Sequence, residues 1–360
     1  MLWRTHIAPG SGALMISAGQ TAPFKKKFVY FLLVTCLLVL KLVVFEPPQA
    51  RATIDDDLAL YRKSWNPLTA GPQLVSSADT MPPGEFFLRL YSYNEISYGQ
   101  FGNTWSVTTH SLPRSLAAVN PQLELSYGIT NHFEWELYIS EVSFWSSGNN
   151  LPSQNAHGLG DVTTFLKYRF LVQKPNTWQP TFTETFYVTL PTSDWTGTPK
   201  IPGGFNPLGR LPATHAGAPE FTEALLTRKN IRPFRLSGGV FYSYGPPSSS
   251  NGTTQYFSDI FQYRVALEHI LDDRFGFGYA LELLGLHGVP FRLDGHEVNV
   301  HPRNFGLVGI QPTIEMNLTE RLIGAFGILF TVAGQNDIAA IYPNFSIYYY
   351  FPTDSRVIPR

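Results

Sequence analysis

The chain has 360 residues, with 26 Lys and Arg against 27 Asp and Glu and a net charge of −1, which excludes the basic footprint of a nucleic-acid-binding protein. Aromatic residues make up 14% and charged residues only 15%, well below the roughly 25% charged of ordinary soluble domains. The 30 Gly and 28 Pro favour many turns over long helices.

At the N-terminus, Lys25, Lys26 and Lys27 precede an apolar run over residues 28–40, which Lys41 interrupts and which resumes to Phe45. Pro47, Pro48 and Ala50-Arg51-Ala52 follow. These are the parts of a secretory signal. They predict a signal peptide over residues 1–52, cleaved after Ala52, with Met15 as an alternative start. The competing reading is an uncleaved membrane helix, since 28–45 reaches the lower limit of spanning length. The one cysteine, Cys36, lies inside the apolar run between Thr35 and Leu37. A lipid anchor needs it at the end of the run, so none is expected, and the mature chain has no disulfide framework. Residues 53–84 contain Asp55-Asp56-Asp57, a short helix around 58–63, and Pro82-Pro83-Gly84. They read as a periplasmic or plug-like lead-in.

From 85 to 351 there are twelve strand candidates: 85–97, 119–128, 132–144, 160–170, 181–190, 220–227, 234–244, 260–269, 275–284, 305–316, 322–333 and 338–351. Several alternate strictly. Phe133, Trp135, Leu137 and Ile139 oppose Glu134, Glu136 and Ser140, and Phe261, Tyr263, Val265 and Leu267 oppose Gln262, Arg264 and Glu268. Period two gives one apolar and one polar face. Each candidate approximates the ~9–11 residues of a tilted membrane-crossing strand. Tight connections such as Ile129-Thr130-Asn131 and Asn317-Leu318-Thr319-Glu320 alternate with long ones after strands one, three, five, seven and nine. The longest is 191–219, and only 334–337 is short where a loop should be long. No apolar run after Phe45 approaches the length of a membrane helix. The pattern predicts an all-β fold: a transmembrane antiparallel up-and-down β-barrel of about twelve strands in a bacterial outer membrane, with a C-terminal extension over 352–360. Trp135, Tyr168, Phe170, Tyr242, Tyr244, Tyr348, Tyr349 and Tyr350 are expected in its interfacial girdles.

Two motifs, GLGDVTTFLKYRF (158–170) and TFYVTLPTSD (185–194), resemble the family of outer-membrane proteins grouped as the MetA-pathway of phenol degradation. That family has a Gly-x-Gly-Asp before a strand ending in Lys-Tyr-Arg, and a strand running into Leu-Pro-Thr-Gly-Asp. Here Ser193 stands for the Gly of Leu-Pro-Thr-Gly-Asp, and YGITNHFEWEL (127–137) is similar too. The resemblance spans 85–351 and marks Gly158, Gly160, Asp161, Pro191, Thr192 and Asp194. It implies a transporter-like barrel and no enzyme activity. Outer-membrane barrels commonly end on an aromatic residue, whereas nine residues follow Phe351 here. Read locally, Gly158 and Gly160 allow tight geometry where a loop enters a strand, and Asp161 serves the turn.

With the apolar faces toward lipid, the lumen receives Arg89, Glu124, Glu134, Glu136, Asp161, Lys167, Arg169, Arg264, Glu268, Glu282 and Glu315. The interior is then polar and slightly acidic, with charges pairing among themselves. Glu184 conflicts with this scheme: alternation puts it with Phe182 and Phe186, facing lipid, which predicts a bulge or a different phase. No nucleophile elbow, phosphate loop or zinc-protease motif occurs. His296, His301, Asp294 and Glu297 read as a solvated loop. No catalytic residue, metal or cofactor is therefore expected. The expected partners are outer-membrane lipid, the barrel assembly machinery and a small solute. The leading function is passive passage of small, hydrophobic or aromatic molecules. The alternatives are a structural or adhesive barrel with partner-binding loops, and a barrel lipase.

Overall fold

A computed structural model describes residues 48–112, 115–148, 151–190, 192, 219–245, 248–250, 253–256, 259–288, 292–293, 296–297 and 304–351. The signal segment before residue 48, the extension 352–360, most of 191–219, and the motif residues Pro191 and Asp194 lie outside these. A helix, α1, covers Pro48–Lys63. Its last turn carries Arg62 and Lys63, cations that suit the negative end of the helix dipole. Leu58 and Tyr61 are buried against Val172.

Twelve staves follow, all antiparallel. Stave one is β1 (Phe86–Tyr93) and β2 (Glu95–Phe101), broken at Asn94. A short β3 (Thr109–His110) pairs with β2. Stave two is β4 (Ser115–Val119) and β5 (Pro121–Gly128). Stave three is β6 (Phe133–Gly148), and stave four is β7 (Leu151–Leu159) with β8 (Val162–Leu171). Staves five to seven are β9 (Thr181–Leu190), β10 (Glu220–Ile231) and β11 (Phe234–Tyr244). Two connections add a small four-stranded sheet: β12 (Ser248–Ser250) and β13 (Thr253–Tyr256) after stave seven, β16 (Arg292–Leu293) and β17 (His296–Glu297) after stave nine. Staves eight and nine are β14 (Ile260–Asp272) and β15 (Phe277–Gly288). Staves ten to twelve are β18 (Phe305–Asn317), β19 (Leu322–Gln335) and β20 (Ile338–Phe351).

Stave twelve pairs back onto stave one, from Phe86 opposite Phe351 to Tyr93 opposite Asn344. That closure leaves the ring of staves without a free edge between its first and last members, as a hydrocarbon surrounding demands. Alternation then sorts the side chains. Outward rows hold Leu123, Leu225, Val240, Leu267, Leu281, Ile314 and Phe326, all exposed, while inward rows hold Glu134, Thr183, Thr185, Glu268, Glu282 and Gln311, all buried. A wall apolar outside and polar inside suits lipid, and it inverts a soluble sandwich. Aromatic pairs mark the outer wall near the short turns: Phe133 on Tyr168, Phe170 on Phe182, and Phe86 on Phe351.

Three expectations change. The connection after stave three is not a loop, because β6 and β7 extend it as a paired hairpin. Tyr348 and Tyr350 are not girdle residues: alternation turns them inward, against Phe87, and leaves Tyr349 outside. Glu184 needs neither a bulge nor a new phase. Thr181, Thr183 and Thr185 are buried on the inner face, and Glu184 stands on the outer wall beside Glu223 of the neighbouring stave, whose register partner is Phe186.

Where the chain enters stave one, Gly84 N donates to Gly128 O (2.8 Å) and Gly128 N to Glu85 O (2.9 Å). A Cβ at Gly128 would overlap the Pro82 carbonyl oxygen and lie 2.6 Å from that of Met81. Gly128→Ala must therefore displace backbone, costing about 1–3 kcal/mol. It lowers the urea midpoint at which the heat-modifiable folded band is lost. Gly324→Ala, whose nearest contact would be 3.6 Å away, leaves the midpoint in place.

Candidate functional site

Residues 64–84 form no strand or helix of their own, so their peptide groups need partners from elsewhere. The inward faces of the staves supply them. Glu282 on β15 accepts from Gln73 N (2.9 Å) and Leu74 N (2.7 Å). Glu315 on β18 accepts from Gly71 N (2.7 Å), and Glu134 on β6 from Met81 N (2.6 Å). The carbonyls are met by cations. Arg235 on β11 donates to Pro67 O and Arg264 on β14 to Leu74 O, both at 2.7 Å, and Lys167 on β8 donates to Asp79 O at 3.0 Å. Thr183 donates to Ala78 O. Bonds with an ionised partner are about twice as strong as neutral ones.

Asp79 is the one acid of the segment inside this set. Its carboxylate lies 2.7 Å from Arg228 Nη1 on β10 and 3.8 Å from Arg169 Nη1 on β8. It also accepts from the Tyr61 hydroxyl at 3.1 Å. Burial alone raises a carboxyl, but here Arg228, Arg169 and Arg235, with the Tyr61 bond, outweigh it and hold Asp79 below the usual carboxylate range. Burial pushes the Tyr61 phenol up, with the Asp79 charge adding to it, so that it stays a neutral donor.

The remaining lumen charges pair with one another. Lys167 stands 3.3 Å from Glu134 and 3.2 Å from Glu136, Arg235 3.2 Å from Glu268, and Arg89 3.2 Å from Glu124. Arg89 also reaches Gln73 Oε1 at 3.4 Å and stacks over the rings of Tyr91 and Tyr348. Ten of the eleven residues expected in the lumen thus lie on one connected inner surface. Asp161 lies apart, half-buried in the break between β7 and β8. Gly160 N there donates to Ser140 O at 2.8 Å, and a Cβ on Gly160 would make the Ser140 hydroxyl turn aside. Thr192 Oγ1 accepts from Val162 N at 3.0 Å.

The sequence reading omitted Arg228, Arg235 and Asp79. With these three added and Asp161 set aside, seven acids face six bases on this inner surface, so the acidic excess narrows to one charge. Both arginines were open to the alternation argument, since Arg235 sits between the outward Phe234 and Leu236. Asp79 carried no such signal. Among the described residues, no three His, Cys, Asp or Glu side chains stand together as a metal site.

Further along the staves from the short turns, inward aromatics form two arcs. Tyr93 stacks on Tyr342 (5.0 Å between centroids) and lies 6.3 Å from Tyr91. Across the lumen run Tyr138, Phe165, Tyr187 and Phe241, with Phe165 at 4.9 Å from Tyr138 and 4.3 Å from Tyr187. Arg264 caps Phe241 at 4.5 Å. Leu74 meets the first arc through Leu284, Leu307 and Leu329.

No family model matches the chain, and no curated protein does. Among solved structures, the COG4313 outer membrane channel from Pseudomonas putida F1 shares the fold, with a TM-score of 0.62 at 15% identity over 77% of this chain and 98% of that one. The translocator domain of the autotransporter NalP from Neisseria meningitidis reaches a TM-score of 0.42 at 10% identity, covering 84% and 97%. The Pseudomonas putida toluene transporter TodX reaches 0.35 at 8%, covering 76% and 92%. Closed staves, an apolar outer wall and the shared fold make this chain a β-barrel of the bacterial outer membrane.

Proposed function

We propose that the protein is a passive outer-membrane channel for small solutes, held shut by residues 64–84 acting as a plug. The observation that carries this reading is what fills the lumen. A purely structural barrel packs its interior with its own stave side chains. Here a separate stretch of chain, bonded through peptide groups and side chains alike, occupies that space, and it can leave without unfolding the wall because the staves pair with one another. The two arcs of tyrosine and phenylalanine above it favour a solute with an aromatic or apolar body and a polar edge, since such rings offer stacking faces and hydroxyls together. The likeness to a structure described as an outer membrane channel supports the same reading. So do the motifs at 158–170 and 185–194, through which we place the chain with the MetA-pathway family. The plug interpretation of the lead-in and the solute-facing role of the lumen residues are parts of this proposal.

In planar bilayers the wild-type barrel conducts in rare openings. Asp79→Asn removes the counter-charge of Arg228 and Arg169, whose side chains are only 12% and 3% exposed. Breaking a buried pair from one side costs about 3 kcal/mol or more, roughly a hundredfold in the open fraction. Removal of residues 66–80 gives a permanently open pore that passes aromatic solutes in a liposome flux assay. A barrel that stays silent after that deletion, with its heat-modifiable migration intact, would falsify the channel reading.

The pH dependence follows from the sign of the Asp79 shift. A carboxyl held below its ordinary value of 3.8 contributes closure that is complete above that value and is lost as pH falls through the lowered one. The difference in open fraction between wild type and Asp79→Asn therefore stays constant from pH 7 to pH 5. It shrinks only below the usual carboxylate range.

A further inference from the structure

The first arc of tyrosines borders two polar groups that the staves leave unsatisfied. Tyr93, Glu95 and Ser97 turn into the lumen, alternating with the exposed Ile96 and Tyr98. Tyr93 pairs with Asn344 and Ile96 with Ile341, so Glu95 stands opposite Tyr342 on β20. On its other side it pairs with Ala118 of β4, which is small and buried. Asn120 follows the exposed, outward Val119 and is therefore inward as well. Its carbonyl accepts from Tyr93 N at 3.1 Å, which sets its side chain beside that ring.

The seven acids around residues 64–84 each meet a cation or a peptide amide. Glu95 meets neither. Among the described residues, the charge that acts on it is another acid, Asp337, in the turn before β20. Glu95 Oε1 is buried without a hydrogen-bond partner among those residues, and so is the Asn120 carboxamide oxygen. Orphaned acceptors of this kind are costly, a carboxylate most of all. Neither residue is sealed as a whole, so a solute in the lumen can reach both. Leu74 of the segment packs against Tyr93 and Tyr342 and gives the site a floor.

Two acceptors without donors call for a donor, and the two acids call for a positive one. A metal ion needs more oxygen ligands than a carboxylate and a carboxamide supply. A primary ammonium has three donors and no acceptor, its bond to a carboxylate is charge-assisted, and tyrosine faces attract cations. The rings of Tyr91, Tyr93 and Tyr342 lie alongside. We propose that Glu95 and Asn120 bind the ammonium group of an aromatic primary amine whose ring lies against these tyrosines. The proposal deepens the channel reading, on which it rests for the solute's route, by making the polar edge of the solute a cation.

The test uses the full-length mature barrel in detergent, checked for heat-modifiable migration, with benzylammonium as probe and benzyl alcohol as its neutral counterpart. Saturation transfer to the probe's ring protons is expected to show saturable binding of benzylammonium, at least tenfold tighter than benzyl alcohol. Glu95→Gln abolishes that preference and Asn120→Ala weakens binding severalfold. Glu141→Gln, exposed on the outer wall, leaves it unchanged. Because Glu95 has no partner to lose, Glu95→Gln keeps or raises the urea midpoint, which the loss of a structural acid would lower. Absence of saturable binding to the wild type overturns the proposal. So does equal binding of the two probes, or a Glu95→Gln barrel that binds benzylammonium as the wild type does. Benzylammonium binding of the expected pattern, with no flux through the barrel lacking 66–80, upholds the site and sinks the channel reading instead.

Discussion

Two unmet needs inside the barrel answer each other, and the rest of the structure depends on that exchange. An irregular chain segment carries peptide N–H and C=O groups that its own conformation leaves unpaired. An inward-turned carboxylate or guanidinium carries a charge that low-dielectric surroundings penalise unless it is paired and hydrogen-bonded. Glu282 with the amides of Gln73 and Leu74, Glu315 with that of Gly71, and Arg264 with the carbonyl of Leu74 meet both needs at once. The lumen charges are thus specified by a segment before the first stave, and the segment by the lumen. Neither can be altered alone without leaving the other's groups buried and unsatisfied, at about 1–3 kcal/mol per neutral group and more per charge.

The energetic character of this contact also separates the segment from the wall. The wall is held by a closed ladder of backbone bonds between staves, with β7 off that ladder and paired with β6. The segment is held by about twenty bonds that involve side chains, and by apolar contacts of Leu74 with Leu284, Leu307 and Leu329, of Ala78 with Leu226 and Phe241, and of Leu68, Ala70 and Met81 with Phe87, Ile323 and Tyr348. Asp79 concentrates its tethering. One carboxylate links β8 and β10 through Arg169 and Arg228, and links α1 through Tyr61.

Much of the wall was legible in the sequence because a two-residue period has only two phases, and the apolar one must face lipid. Twelve staves, the closing pair and ten inward charges follow from that rule. The rule also corrects its own misapplications. Three successive tyrosines at 348–350 cannot share a face, so two of them turn inward, and Arg235 between Phe234 and Leu236 is inward by the same parity. Other features had no period to read. The hairpin of β6 and β7 includes SSGNNLPSQNAHG, turn-rich composition that strand pairing overrides, as context does for β propensity generally. The lead-in has no repeat, so nothing in it singled out Asp79 over the three acids at Asp55, Asp56 and Asp57.

Parity alone does not determine chemistry on the outer wall; depth does. Glu184 and Trp145 both point outward. Glu184 lies between Phe182 and Phe186, within the apolar belt, where a carboxyl costs less than Lys or Arg but still something. Glu223 stands diagonally beside it on the next stave, so the two acids share one polar spot in an otherwise apolar wall and can satisfy each other's hydrogen-bonding groups. Trp145 lies twelve residues along β6 from Phe133, in one register row with Ala117 and the exposed Ile96, at the far edge of that belt. One is a polar group tolerated in lipid through a neighbour of its own kind. The other is an aromatic group at the rim of the wall, where its apolar ring and its indole N–H meet apolar and polar surroundings together.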